Sequence, residues 1–520
     1  VTVPQNNHQE SYLLSRWIYL RSLGLVHFVA YLSLSVQILM LNGKNGILPI
    51  ATTLQRVKDV YGDDAYGMLP TIFWFNASDP FILANCIAGI IFSVLVVLGV
   101  LTGPSLLWLA ILYSSLDNGS GEFMAFGSDG LIVEATVLAL FMVPWCFWEW
   151  SWNRDPKRAK EPSNMALALN RFLLFRLMFG AGLVKIQSGD PTWRNLTALS
   201  YHQETQPIPS PLAWFVHHLP MWMHKAACLL TFIAELLAPF LYFSERRLRL
   251  LAAALTAALH IGILLTGNYT FLNYLSIVLC IPLIDDAWFE KFVPFSWGVK
   301  GRAILFAEPL APSDSLVFKL SKLAATASAI VFIFLGGCQF ITGFIGSYIF
   351  PTSLGRILTV LAPYRIFNSY GMFAIMTITR PEIVFEASVD GKRWFPYTFK
   401  YKIDDLRKAP PVVAPHMPRL DWRLWFAAMR DVSENPWVFN LVKLMLKGDP
   451  AILSAFKSNP VSPAVRPKFI RAYVYNYHFS DWEALVKRGE WWRRDNKLLY
   501  IPPVQLDEND EVVPARSGIP

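Results

Sequence analysis

Charge is scarce in this chain. Asp, Glu, Lys and Arg make up 16% of the 520 residues, where soluble domains carry about 25%. An ordinary soluble globular protein is thereby excluded, and the 54% hydrophobic content with a mean hydropathy of +0.36 points to a membrane bundle. Cysteine is scarcer still. The five cysteines (Cys86, Cys146, Cys228, Cys280 and Cys338) all fall in apolar stretches, and none lies after residue 338. A disulfide framework in the last third is excluded, and small buried core residues are the expected reading. No CxxC or Cys/His cluster has zinc spacing, so no metal is expected. GxSxG, Walker, GxGxxG and HExxH signatures are missing, and nothing requires a cofactor. No nucleic-acid motif appears, so nucleic acid is not an expected partner. The basic residues behind the net charge of +8 cluster in particular loops and in the last third, and they read first as topology signals. Residues 1–17 (VTVPQNNHQESYLLSRW) are polar and lack a cleavage pattern, so the apolar segment that follows reads as a retained helix.

What is present is a series of apolar runs near the length of about 20 residues that a span requires. They lie near 18–41, 81–101, 104–125, 128–148, 166–187, 226–243, 248–266, 269–284 and 323–347. The third fades into Asp117, Asn118 and two glycines, in the manner of a re-entrant segment, and the eighth is short. The expected fold is an α-helical multi-pass membrane protein of about eight or nine membrane segments, with a C-terminal soluble α+β domain. A transmembrane bundle over 18–349 carries a structured loop at 188–225, and residues 350–520 form the soluble part. Arg154, Lys157, Arg158 and Lys160 crowd one short loop, and Arg246, Arg247 and Arg249 another. With both loops cytoplasmic, counting puts the N-terminus in the cytoplasm and 188–225 and 350–520 on the far side. In the tail, 381–401 alternates about Asp390-Gly391 as a hairpin does, 414–430 reads as a Pro-rich entry into an amphipathic helix, 436–457 as helical and 471–480 as a strand. Four sequons, at Asn76, Asn118, Asn195 and Asn268, fall on the far side.

Ionisable residues within a span are functional hypotheses by default. The fifth segment holds Arg171, Arg176 and Lys185. Arg171 can snorkel from the cytoplasmic end. Depth matches Arg176 with Glu235 as an intramembrane charge pair, and Lys185 with Glu134 and His260 as a cluster facing the loop. That cluster is read in two ways: buried ion pairs that fix helix packing, or a catalytic or ligand-binding group. Gly180, Ala181 and Gly182 permit close helix approach. The loop 189–220 holds Arg194, His202, Glu204, His217 and His218. Adjacent His217 and His218 cannot easily share a metal, so a cap packed on the bundle is the expected structure.

The stretch RLMFGAGLVKIQSGDPTWRNLTALSYHQETQPIPSP resembles the lipase maturation factor family. Its Gly180 to Lys185, Trp193 to Thr197 and Tyr201 to Pro209 follow that family's ordered motifs. FNSYGMFAIMTITRPEIVFEASVDGKRW (367–394) and PHMPRLDWRLWFAAM (415–429) resemble two more. The resemblance covers most of the chain. It implies an endoplasmic-reticulum membrane protein, or a cytoplasmic-membrane protein in a bacterium, that helps secreted lipases or other exported clients fold and assemble. Membrane lipids are its other expected partners. The motif loop Trp193, Arg194, Tyr201, His202, Glu204, Thr205, Gln206 and Pro207 and a client-binding surface of Trp394, Arg419, Asp421, Trp422 and Trp425 are the implied functional parts. A thiol-exchange role would need far-side cysteines, which are missing. The membrane part of vitamin K-dependent gamma-carboxylases is more distantly similar around Lys185 and Trp193, which implies as an alternative a membrane enzyme with Lys185 as base and Glu134 or His260 beside it. A subunit of a larger membrane assembly is the third reading.

Overall fold

The computed structural model describes residues 10–149, 161–292, 316–460 and 466–515. All nine apolar runs contain helix: α1 (Leu13–Ser35), α2 (Asp79–Leu98), α3 (Thr102–Gly119), α4 (Gly127–Ala139), α5 (Asn164–Gln187), α6 (Met221–Leu241), α7 (Arg246–Thr266), α8 (Phe271–Cys280) and α9 (Leu316–Ile345). Six of them are long and apolar enough to cross a membrane: α1, α2, α5, α6, α7 and the 323–345 part of α9. The other three fall short for separate reasons. α3 ends in the polar Asp117-Asn118-Gly119, whereas α4 has 13 residues, roughly 20 Å at 1.5 Å per residue. α8 reaches only Leu283 with its final turn. The outward faces are apolar, with Leu25, Ile91, Leu230, Phe240, Leu251 and Phe334 exposed. A patch of this kind suits hydrocarbon and not water.

Contacts define two ends of the bundle. At one end Asp286 accepts from the backbone amides of Leu13 and Ser15 (both 2.9 Å) and Glu161 from that of Tyr12 (2.9 Å), while Arg246 pairs with Asp285 (2.5 Å) and Arg249 with Glu10 (2.8 Å). The N-terminal segment and the basic loop at 244–250 therefore share one end. The other basic loop, with Arg154, Lys157, Arg158 and Lys160, lies outside the described residues. At the opposite end Gln37 donates to the Met417 carbonyl (2.8 Å), Asn118 to that of Pro363 (2.9 Å) and Asn268 to that of Pro411 (2.9 Å). The C-terminal region sits here.

That region has a five-stranded antiparallel sheet in the order β2-β1-β5-β6-β7, from β1 (Pro381–Ser388), β2 (Phe395–Pro396), β5 (Phe469–Phe479), β6 (Trp492–Leu506) and β7 (Val512–Pro514). β3 (Thr398–Phe399) and β4 (Phe456–Ser458) form a separate pair. The hairpin expected about Asp390-Gly391 is present. Gly391 takes φ 70°, a region glycine enters at little cost, and Asp390 Oδ1 accepts from the amides of Lys392 and Arg393 (both 2.9 Å). Strand alternation sends Ile383, Phe385, Ala387, Ile470, Ala472 and Ile501 to one face, where they join the core of α10 (Arg419–Ala428) and α11 (Trp437–Lys447). Bundle and tail also share cores. Tyr370, Val413, Met417 and Trp422 pack in the bundle cluster, and Leu41, Ile47 and Phe123 in the sheet cluster.

Candidate functional site: the seam between bundle and C-terminal domain

Two buried ion pairs anchor the seam, and their partners are exchanged relative to the sequence pairing. Arg176 pairs with Glu134, not with Glu235. Lys185 pairs with Glu235 (2.9 Å), not with Glu134. The reason is that the helices do not start at one level. α6 begins at Met221, 14 residues before Glu235, so roughly 21 Å of helix precedes the carboxylate and lowers it to the level of Lys185. Glu235 also lies on a π-helical turn, Ile233–Leu237, a distortion that commonly re-aims one side chain. His260 is not part of this cluster; its ring contacts Asn273 Oδ1 (3.2 Å) and Met178 Sδ (3.4 Å).

Both pairs hold the segment after α9. Glu134 accepts from the Asn368 amide group (3.0 Å) and the Tyr370 hydroxyl (2.6 Å), and Arg176 donates to the Asn368 carbonyl (3.1 Å). Lys185 donates to Glu235, to the Ala181 carbonyl (3.0 Å) and to that of Met372 (3.2 Å), and its ammonium lies 5.2 Å from the centre of the Trp193 ring. Three acceptors for three protons make a closed structural pair, which does not favour Lys185 as a base. Gly180 and Gly182 are required by this packing. A Cβ at Gly180 would strike the Tyr370 carbonyl, and one at Gly182 would lie 2.7 Å from Leu236.

The motif loop binds the tail at Asp190, at Trp193 and over Glu204 to Pro207. Trp193 donates to the Phe373 carbonyl (2.9 Å), and Asp190 accepts from the Met376 amide (2.6 Å). Glu204 takes the Phe479 amide (2.8 Å) and contacts His478 (3.1 Å) and His217 (3.7 Å). The Thr205 carbonyl accepts from Trp425 (3.0 Å). Arg380 reaches the carbonyls of Glu204 (2.7 Å), Gln206 and Pro207 (2.8 Å), and Glu382 binds both Arg380 (2.8 Å) and Lys402 (2.9 Å). Burial holds the His202 imidazole down at about 4, so it stays neutral where it stacks against Tyr269 and meets the Phe373 ring edge-on. Arg194 and Tyr201 are exposed and outside these contacts.

Four of the five residues of the expected client-binding surface are buried within the chain itself. Arg419 is buried in a bidentate pair with Asp129 (2.7 and 2.9 Å) and donates to the Phe123 carbonyl (2.8 Å). Asp421 accepts from the Lys402 amide (2.8 Å), and burial pushes its carboxyl up to about 6. Trp422 packs edge-on against Phe126 and Tyr269, and Trp425 is covered by the loop. The amphipathic helix turns Trp422 and Trp425 inward, because Phe126, Tyr269 and residues 201–207 cover them. Trp394 alone stays at the surface, half-buried beside Arg471. A cavity of about 270 Å³ opens at the seam beside Asp117, Arg365, Asn368 and Tyr370, and neither Lys185 nor His260 lines it. Among the described residues no group of three or more His, Cys, Asp or Glu side chains is placed for a metal. Sequence reasoning missed Asp129, Arg380, Glu382 and Lys402, and it read Asn268 only as a sequon. Of these Arg380, directly before the strand-opening Pro381, was the most visible.

This seam joins two sequence regions that match separate family models. The model for the lipase maturation factor transmembrane domain matches residues 14–291, and that for the lipase maturation factor C-terminal domain matches 366–502. The chain belongs to the lipase maturation factor family. Lipase maturation factor 1 of Mus musculus is 31% identical, with 99% of this chain and 91% of the relative covered. For lipase maturation factor 1 of Homo sapiens the identity is 31%, with 97% and 90% covered, and for lipase maturation factor 2 of Homo sapiens it is 30%, with 95% and 83% covered. No solved structure matches the chain. Within the lipase maturation factor motifs quoted from the sequence, Trp193 and Glu204 to Pro207 are among the residues that stitch the two matched regions together.

Proposed function

We propose that this chain is a membrane-embedded maturation factor that assists folding and assembly of secreted lipases on the non-cytoplasmic side. The observation that carries the reading is the motif loop, whose polar groups are spent on holding the C-terminal domain at the bundle end opposite the N-terminus and Arg246–Arg249. Lysine- and arginine-bearing short loops stay cytoplasmic, so the C-terminal domain faces the export side. In this reading about eight or nine segments lie in the membrane, residues 18–349 form the bundle, 188–225 its cap and 350–520 the client-facing part. The membrane is that of the endoplasmic reticulum, or the cytoplasmic membrane if the source is bacterial. The client is a secreted lipase or another exported protein, and lipids surround the apolar belt. Five cysteines outside any disulfide, four of them buried, suit a role in stabilising a client fold better than one in thiol exchange. The test is co-purification of a co-expressed secreted lipase with the detergent-solubilised protein. Capture of inactive, incompletely assembled lipase supports the reading, whereas normal lipase maturation without any association counts against it.

A further inference from the structure

The sheet face turned away from α10 and α11 carries side chains that the seam does not use. β5 presents Arg471, Tyr473 and Tyr475 there, the β1–β2 connection adds Trp394, and β6 adds Arg494 and Lys497. Cations and rings alternate along the strand. The Arg471 guanidinium lies 4.1 Å from the centre of the Trp394 ring and 5.1 Å from that of Tyr473. Lys497 Nζ sits 3.8 Å from the Tyr473 ring centre and 6.0 Å from that of Tyr475. Arg494 covers Tyr475 at 4.2 Å and donates to the Tyr477 hydroxyl (3.1 Å).

The charges on this ladder are unevenly matched. Arg471 has a carboxylate partner, Glu386 (2.8 Å). Among the described residues, neither Arg494 nor Lys497 is ion-paired. Stacking on rings attracts each cation to the ring face, and it holds long side chains that would otherwise be free to move. The result is a pair of positioned cations with no carboxylate in contact, on a half-buried aromatic floor. Alternate residues of a strand lie roughly 6.6–6.8 Å apart, so an extended chain with acidic side chains at every second position repeats in step with the ladder. Its aliphatic parts would rest on the tyrosines.

We propose that this ladder is a docking surface for an extended acidic polypeptide segment of the exported client. The proposal rests on the reading that the C-terminal domain faces a client, and it replaces the buried Trp422 and Trp425 as the contact surface. Charge complementarity and strand repeat favour a polypeptide, and a sulfated polysaccharide is the rival that the test must separate.

The test uses the full chain in phosphatidylcholine nanodiscs and a fluorescein-labelled 12-residue peptide of alternating Glu and Thr. Fluorescence anisotropy should show binding that weakens with added salt and falls at least about tenfold in R494E/K497E, a loss of roughly 1.4 kcal/mol. A Lys-Thr peptide of equal length should not bind. Both altered side chains are exposed, and an unchanged melting temperature verifies the fold; R494Q/K497Q, with an intermediate loss, serves if the reversed variant is destabilised. No binding of the Glu-Thr peptide, equal binding by the reversed variant, or binding of dextran sulfate alone overturns the proposal. A cell assay separates it from the parent reading. If R494E/K497E loses the peptide yet matures lipase normally, the ladder is not the client surface and the maturation role stands. If deleting the whole chain leaves lipase activity intact, the maturation role itself fails.

Discussion

Replacing Arg419 by Met should loosen the C-terminal domain from the bundle. Arg419 and Asp129 are both buried, and two hydrogen bonds of 2.7 and 2.9 Å join them. Removing one partner of such a pair leaves an uncompensated charge and costs roughly 3–5 kcal/mol. The orphaned Phe123 carbonyl, which accepts from Arg419 at 2.8 Å, adds about 1 kcal/mol. For a cooperative unit of 150–250 residues, about 4 kcal/mol corresponds to a fall in melting temperature on the order of 10 °C. The pair as a whole contributes far less, because burying two charges offsets most of their attraction. R419M/D129N should therefore recover more than half of the loss, because the new side-chain amide oxygen can still accept from the Tyr113 hydroxyl that now binds Asp129 (2.7 Å). Tryptophan-fluorescence melts in nanodiscs, with limited proteolysis of the C-terminal third, measure both. A double variant no better than R419M, or R419M with an unshifted melt, would refute the claim that this pair clamps the seam.

The same logic applies to Lys185. K185M should fail to accumulate, because Glu235 is left buried and alone, and K185M/E235Q should restore protein level and lipase maturation together. Full accumulation of K185M without activity, unrescued by E235Q, would revive a chemical role. Asp421 gives a pH test. Its folded carboxyl titrates at about 6 against an ordinary 3.8, so its stabilising contribution is complete below the unfolded value and is lost as pH rises through the folded one. At pH 7.5 the ionised group costs on the order of 2–3 kcal/mol. D421N should raise the melting temperature at pH 7.5 and give no gain near pH 4; a drop at pH 7.5 would show that burial does not dominate there. In a glycosylating host, Asn76 and Asn195, which are exposed, should carry glycan. Asn118 and Asn268 should not, because both side chains are buried donors to backbone carbonyls. Mass-shift analysis of Asn→Gln variants decides.

Periodicity made the long helices and the hairpin legible, because each is a local property of a short window. The nine apolar runs became helices, and Asp390-Gly391 became the turn. Depth within a span did not survive, since it presumes that helices begin at a common plane. α4 is short and α6 overshoots the end of α5, so Arg176 met Glu134 and Lys185 met Glu235. The tryptophans of α10 showed the other limit. An aromatic amphipathic face announces burial against something, without saying whether the cover is a partner or the same chain. Here the cover is residues 201–207, Phe126 and Tyr269, far away in sequence. Buried polar contacts such as Asn268 with Pro411 and Val413 have no local pattern at all.

The C-terminal domain, held by the motif loop, is proposed to face the export side and bring secreted lipase to its active form. The most direct measurement is the specific activity of secreted lipase, activity per lipase molecule, in cells lacking this chain and rescued with the wild type or with Glu204→Ala. That carboxylate holds the Phe479 amide and His478 from the loop side. Low specific activity is expected without the chain, recovery with the wild type, and partial or no recovery with Glu204→Ala at equal protein level. Equal specific activity with and without the chain would contradict it.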